Sequence, residues 1–128
     1  MRREFFIILA FFLVFLTACS SGNNADGNVV KEIPSVGEIK EFDMVAKQWE
    51  FDPETITVND GDTVKLHIKS IDVDHGIAIP EFEVNEYISA GETIDIEFVA
   101  DKTGEFIFYC NVFCGADHKQ MKGTLIVQ

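Results

Sequence analysis

Positive charge is what this chain has least of: ten Lys and Arg stand against 22 Asp and Glu in 128 residues, for a formal charge of −12. A polyanion of that density is repelled by phosphate backbones, which excludes a nucleic-acid partner and leaves a basic protein surface as the fitting one. The same acidity also serves simply to keep an exported domain soluble. No array of acid, base and nucleophile is present beyond the candidate metal ligands, so the chain reads as a non-enzyme without a small-molecule substrate. No internal repeat and no sustained helical period occur either. The length suits one compact domain and is too short for two.

The one long apolar run comes first. Met1-Arg2-Arg3-Glu4 leads into Phe5 through Leu16, a basic start and an apolar stretch rather short for a stable membrane span, as in a secretory signal. It ends Leu16-Thr17-Ala18-Cys19, which resembles the lipobox of bacterial lipoproteins: an aliphatic residue and two small ones before the cysteine that is lipidated. The resemblance implies that residues 1–18 are a signal peptide and that Cys19 carries the lipid. The protein would then be exported and anchored to a membrane on its extracytoplasmic face. An uncleaved single-span anchor is the alternative, with Cys19 at the membrane surface. Residues 19–38 are small and polar with no hydrophobic period, and are expected to be a flexible tether.

From Ile39 to Gln128 the pattern becomes short apolar–polar alternation punctuated by turn residues. Phe42, Met44 and Ala46 alternate, Asp52-Pro53 marks a turn, and Asn59-Asp60-Gly61-Asp62 marks a stronger one. Val64, Leu66 and Ile68 then alternate with Lys65, His67 and Lys69, and Ile94, Ile96 and Phe98 repeat the scheme. Phe106 to Tyr109 and Thr124 to Val127 complete the series. Many short strands without a convincing helix predict an all-β sandwich with Greek-key connections over residues 39–128. Glu81 to Ser89 fits a strand or a short helix equally.

Soft ligands gather near the C-terminus. Within twelve residues lie Cys110, Cys114, His118 and Met121, and thiolate, thioether and imidazole together favour copper. Spacings of four, four and three would also place them on one helix face. Gly115 and the flanking strand patterns favour a loop between two strands instead. In an export compartment a plain Cys110–Cys114 disulfide is the simplest alternative. His75, in a loop and beside Gly76, supplies a fifth side chain. Two thiols, two imidazoles and a thioether exceed a closed four-coordinate zinc site, and Met is a poor zinc ligand. Val112, Phe113 and Ile77 are expected to restrict water around the ligands.

His75-Gly76-Ile77-Ala78-Ile79-Pro80, together with Tyr109-Cys110-x-x-x-Cys114-Gly115-Ala116-x-His118-x-x-Met121, resembles the binuclear CuA copper domain of cytochrome c oxidase subunit II, a member of the cupredoxins. Gln48-Trp49-Glu50-Phe51 is similar to the aromatic segment through which electrons enter that domain, which makes Trp49 a candidate gateway. The resemblance spans roughly residues 40–128 and implies a cupredoxin-like sandwich with two copper ions. Cys110 and Cys114 would bridge both ions; His75 and Met121 would complete one copper, and His118 with the Val112 carbonyl the other. Two departures stand out. Where the oxidase subunit commonly carries a glutamate that also binds magnesium at the interface with the catalytic subunit, this chain has Val112. In place of the two transmembrane helices that precede the domain in the oxidase subunit, this chain has the lipoprotein-like start. Both point to a free-standing, tethered relative, an electron carrier or accessory to an oxidase or reductase whose partner is a redox protein such as a c-type cytochrome.

Copper storage or delivery is the alternative function, because copper-inserting chaperones with a thioredoxin-like fold also use a Cys-x3-Cys pair and a histidine. The strand-rich pattern disfavours that fold. His67, on the polar face of its strand, is expected to take no part in metal binding.

Overall fold

The structure is a computed structural model that describes residues 37–128. The expected signal peptide 1–18, Cys19 and the tether up to residue 36 lie outside the described residues. Among the described residues nine strands follow in order: β1 (Ile39–Lys47), β2 (Glu50–Asp52), β3 (Thr55–Val58), β4 (Thr63–Ser70), β5 (His75–Ile79), β6 (Val84–Ile88), β7 (Thr93–Val99), β8 (Gly104–Tyr109) and β9 (Lys122–Val127). They form two sheets, one ordered β2-β1-β4-β7 and the other β3-β9-β8-β5-β6. Two of the pairings, β1 with β4 and β3 with β9, are parallel. The molecule is an all-β sandwich, as the alternations predict.

Period-two patterning decides which side chains meet between the sheets. In β4, Val64, Leu66 and Ile68 are buried while Lys65, His67 and Lys69 face outward, and Met44 and Ala46 of β1 join them inside. Phe51 of β2 meets Phe108 of β8 edge-on across the core, with ring centroids 5.4 Å apart, an arrangement aromatic quadrupoles favour. The turn before β4 is fixed by the buried carboxylate of Asp62, which accepts from the amides of Asn59 at 2.8 Å and Glu38 at 2.9 Å. Gly61 supplies the positive φ of 85° that the turn requires.

The segment that fits strand or helix equally proves to be both in succession. A single 3-10 turn covers Pro80–Phe82 and ends at Glu83 in the left-handed region (φ 57°), after which β6 begins. Pro80 suits the first position of such a turn, and the left-handed Glu83, whose amide donates to the Pro80 carbonyl, ends it. No helix among the described residues is long and apolar enough to cross a membrane.

Candidate metal centre

The centre grows out of the inward face of β8. Phe106 is half-buried and Phe108 fully buried, and Cys110 occupies the next inward position just past the strand end. Residues 110–121 then form a loop joining β8 to its antiparallel neighbour β9. The Cys110 amide donates to the Met121 carbonyl at 3.0 Å, closing the loop at its base. Gly115, at φ +129°, breaks any helical path, so the four-residue spacings do not build a helix face. Only one 3-10 turn forms, at His118–Gln120. It is held by donation from the His118 amide to the Gly115 carbonyl at 3.2 Å.

His75 comes from the other strand beside β8. As the first residue of β5 it has no exposed surface, and every residue of that strand is buried. Its Nε2 lies 2.8 Å from a carboxylate oxygen of Asp72. An ionised carboxylate can only accept, so the ring donates from Nε2 and turns the lone pair of Nδ1 toward the thiols. Nδ1 is 3.9 Å from Cys110 Sγ. Burial opposes ionisation of Asp72, yet the Gln48 amide, the His75 ring and the Val73 amide outweigh it and hold the carboxyl below its ordinary value.

The two sulfurs stand 3.7 Å apart, both thiols free and buried. A disulfide requires about 2.05 Å, so the cysteines are not cross-linked. Cys110 Sγ lies 3.0 Å from the Val112 carbonyl oxygen. Cys114 Sγ is 3.5 Å from Nδ1 of the half-buried His118 and 3.7 Å from Sδ of the buried Met121. His75, Cys110 and Cys114 present ligand atoms within 4.8 Å of one another. Burial, and then the hydrogen bond and charge of Cys110, push the Cys114 thiol up to about 12, so a bound metal must displace its proton.

Each of the other four residues singled out as ligands places an atom within 3.9 Å of one of the two sulfurs, His75 and the Val112 carbonyl at Cys110 and His118 and Met121 at Cys114. The donor set suits copper: soft sulfur and imidazole predominate, and sulfurs 3.7 Å apart can be spanned by one ion at metal–sulfur distances of about 2.3 Å. Trp49 is partly buried against the core, and its Nε1 is a buried polar atom with no hydrogen-bond partner among the described residues. A Cβ at Gly115 would sit 2.9 Å from that nitrogen, so the indole edge rests on the ligand loop.

One expectation is corrected. Phe113 does not shield the ligands: it is 79% exposed, its ring 5.8 Å from that of His118. Ile77 is buried and Val112 half-buried. Two residues escaped the sequence reading. Asp72 precedes His75 by three positions, but Asp74 beside it looks equally suitable in sequence. Gln48 donates from its backbone to Asp72 Oδ2 at 2.7 Å and from its side chain to the Cys114 carbonyl at 2.6 Å, a pairing across 66 residues with no local signal. His67 lies on the outer sheet face against Asp95, with Nδ1 2.6 Å from its carboxylate.

A family model described as a cupredoxin-like domain matches residues 6–127. The nitrous-oxide reductase of Cupriavidus necator is 42% identical over 72 residues, which cover 53% of this chain and 11% of that protein. Cytochrome c oxidase subunit 2 of Thermus thermophilus is 29% identical over 85 residues, covering 66% of this chain and 63% of the subunit. The chain thus spans less than two thirds of the length of these relatives. Among solved structures, a chain of a heme-copper terminal oxidase dimer superposes with a TM-score of 0.63 at 28% identity, covering 70% of this chain and 65% of that one.

Proposed function

Because the chain belongs to the cupredoxin-like family, we propose that it is an electron-transfer protein, not itself a catalyst, with a binuclear copper centre of the CuA type. Its ligands are His75, Cys110, Cys114, His118, Met121 and the Val112 carbonyl, and lipid on Cys19 tethers it to the extracytoplasmic face of a membrane. The observation that carries this reading is the pair of buried, unlinked sulfurs 3.7 Å apart, flanked by two imidazoles, a thioether and a carbonyl. Cys110 and Cys114, with the flanking donors, would hold the copper pair, which would supply one-electron redox chemistry with little change of geometry on each transfer.

The remaining roles belong to the chain. Cys114 gives up a proton that its buried position otherwise retains. Asp72 fixes the tautomer of His75 and keeps Nδ1 free to bind. Ile77 and the core beneath it exclude water from the inner side. Phe113 offers an exposed apolar contact next to His118, and the net charge of −12 suits a basic redox partner such as a c-type cytochrome. Copper added to the reduced domain should give an intense purple colour and an electron paramagnetic resonance spectrum of one electron shared by two coppers, lost in Cys110→Ser. A colourless protein that holds one Cu(I) and passes it readily to another apo-protein would instead establish copper delivery.

A further inference from the structure

Gln48 sits in the turn between β1 and β2, on a different element from every proposed ligand, yet it reaches both halves of the centre. Its backbone amide donates to Asp72 Oδ2 at 2.7 Å. The other oxygen of that carboxylate accepts from His75 Nε2 at 2.8 Å and from the Val73 amide at 2.7 Å. The Gln48 side-chain amide donates to the Cys114 carbonyl at 2.6 Å. The link is thus continuous from the imidazole on β5, through Asp72 and Gln48, to the backbone of a cysteine in the β8–β9 loop. Gly115 makes room for it: a Cβ there would lie 2.8 Å from Gln48 Nε2 and 2.9 Å from Trp49 Nε1.

The loop is tied at its base by the Cys110–Met121 hydrogen bond, but Cys114 is four residues from that anchor. The Gln48 amide supplies a tie at Cys114 itself. Without it, the Cys114 carbonyl would lose its protein donor, and Asp72 would be held by a turn no longer pinned to the loop. We infer that Gln48 is a positioning residue, a strut that sets the distance between the His75 imidazole and the Cys114 thiol and so tunes the metal centre without touching the metal. The inference rests on the copper reading for what the centre holds, whereas the strut itself can be tested in the metal-free protein.

The informative variants are Gln48→Met, which keeps the length but removes the donor, Gln48→Lys, which restores an N–H donor, and Asp72→Asn. Gln48 is exposed, so none of the changes at this position removes core packing. In the reduced, metal-free protein, proton and nitrogen NMR should show a slowly exchanging His75 Nε2–H. Gln48→Met should speed its exchange, and Gln48→Lys should recover most of the protection. In the copper-loaded protein, Gln48→Met should weaken copper binding by about tenfold, the lower end of what such supporting hydrogen bonds contribute, and should alter the copper hyperfine pattern. The combined Gln48→Met/Asp72→Asn protein should lose less than the two single losses multiplied together, because both act on one link. Unchanged His75 exchange in Gln48→Met would overturn the strut, as would losses that multiply independently. A parent protein that takes up no copper pair while its His75 exchange still responds to Gln48→Met would refute the electron-transfer reading and leave the strut standing.

Discussion

Gly76→Ala is the sharpest test of how the ligand loop lies on the sheet. A Cβ at Gly76 would fall 1.9 Å from Asn111 Oδ1, 2.8 Å from Val112 Cγ2 and 3.0 Å from the Glu86 carbonyl. Asn111 can swing aside, but doing so breaks its hydrogen bond to Asn85, a loss of about 1 kcal/mol. Val112 and the β6 backbone cannot both yield without moving the loop, and overpacking of this kind adds at least about 1 kcal/mol. The expected destabilisation is therefore about 2 kcal/mol, which for a domain of this size lowers Tm by roughly 8–16 °C. Thermal unfolding of the reduced, metal-free protein measures it. Asn111→Ala removes the closest contact and the same hydrogen bond, so it should cost about 1 kcal/mol in the parent but little further in Gly76→Ala. The displaced Val112 carbonyl, 3.0 Å from Cys110 Sγ in the parent, should also weaken copper binding. A Gly76→Ala protein melting within about 2 °C of the parent would show that the loop does not press on β5 as described.

Three further outcomes follow from the geometry. With sulfurs 3.7 Å apart, the metal-free protein treated with a mild oxidant should lose both free thiols and its copper uptake, and dithiothreitol should restore both; thiol titration reads this. Met121→Leu should keep the fold and a coloured copper centre while shifting its midpoint potential, since a buried thioether is exchanged for a side chain of similar volume. The hydrogen bond that His67 donates to Asp95, followed by the charges of Asp95, Asp43 and Glu41, raises the His67 pKa above 6.5. That contribution to stability is complete below the unfolded value and fades as pH rises through the folded one. As pH rises from below 6.5 through the raised folded value, the urea midpoint of the parent should thus fall relative to His67→Gln, while copper content stays equal in the two.

The sandwich was legible because its strands obey one simple rule. Val64, Leu66 and Ile68 alternate with lysines and a histidine, and the same rule running through Phe106 and Phe108 points Cys110 inward. The parallel pairings of β1 with β4 and β3 with β9 were not legible, since they join segments by a register that no local residue encodes. At the centre, residue types with strong metal chemistry stood out at their spacing, and the structure brings them together. What stayed hidden were groups whose part depends on partners far along the chain. Gln48 is an ordinary exposed amide until Cys114 arrives beside it. Phe113 went wrong for a related reason: an apolar residue in a loop gives no strand alternation from which to read its side, and it faces solvent.

The hydrogen bond between Cys110 and Met121 at the foot of the loop separates two ledgers that many small metalloproteins merge. Zinc fingers fold only when the ion arrives, so their metal affinity is also their folding energy. Here the large buried side chains, among them Phe51, Phe108, Leu66 and Leu125, hold the sheets, and the loop inherits its ends from a strand pair that stands by itself. On the copper reading, the hold on the ion can then be adjusted through the dozen residues of the loop while the scaffold stays intact.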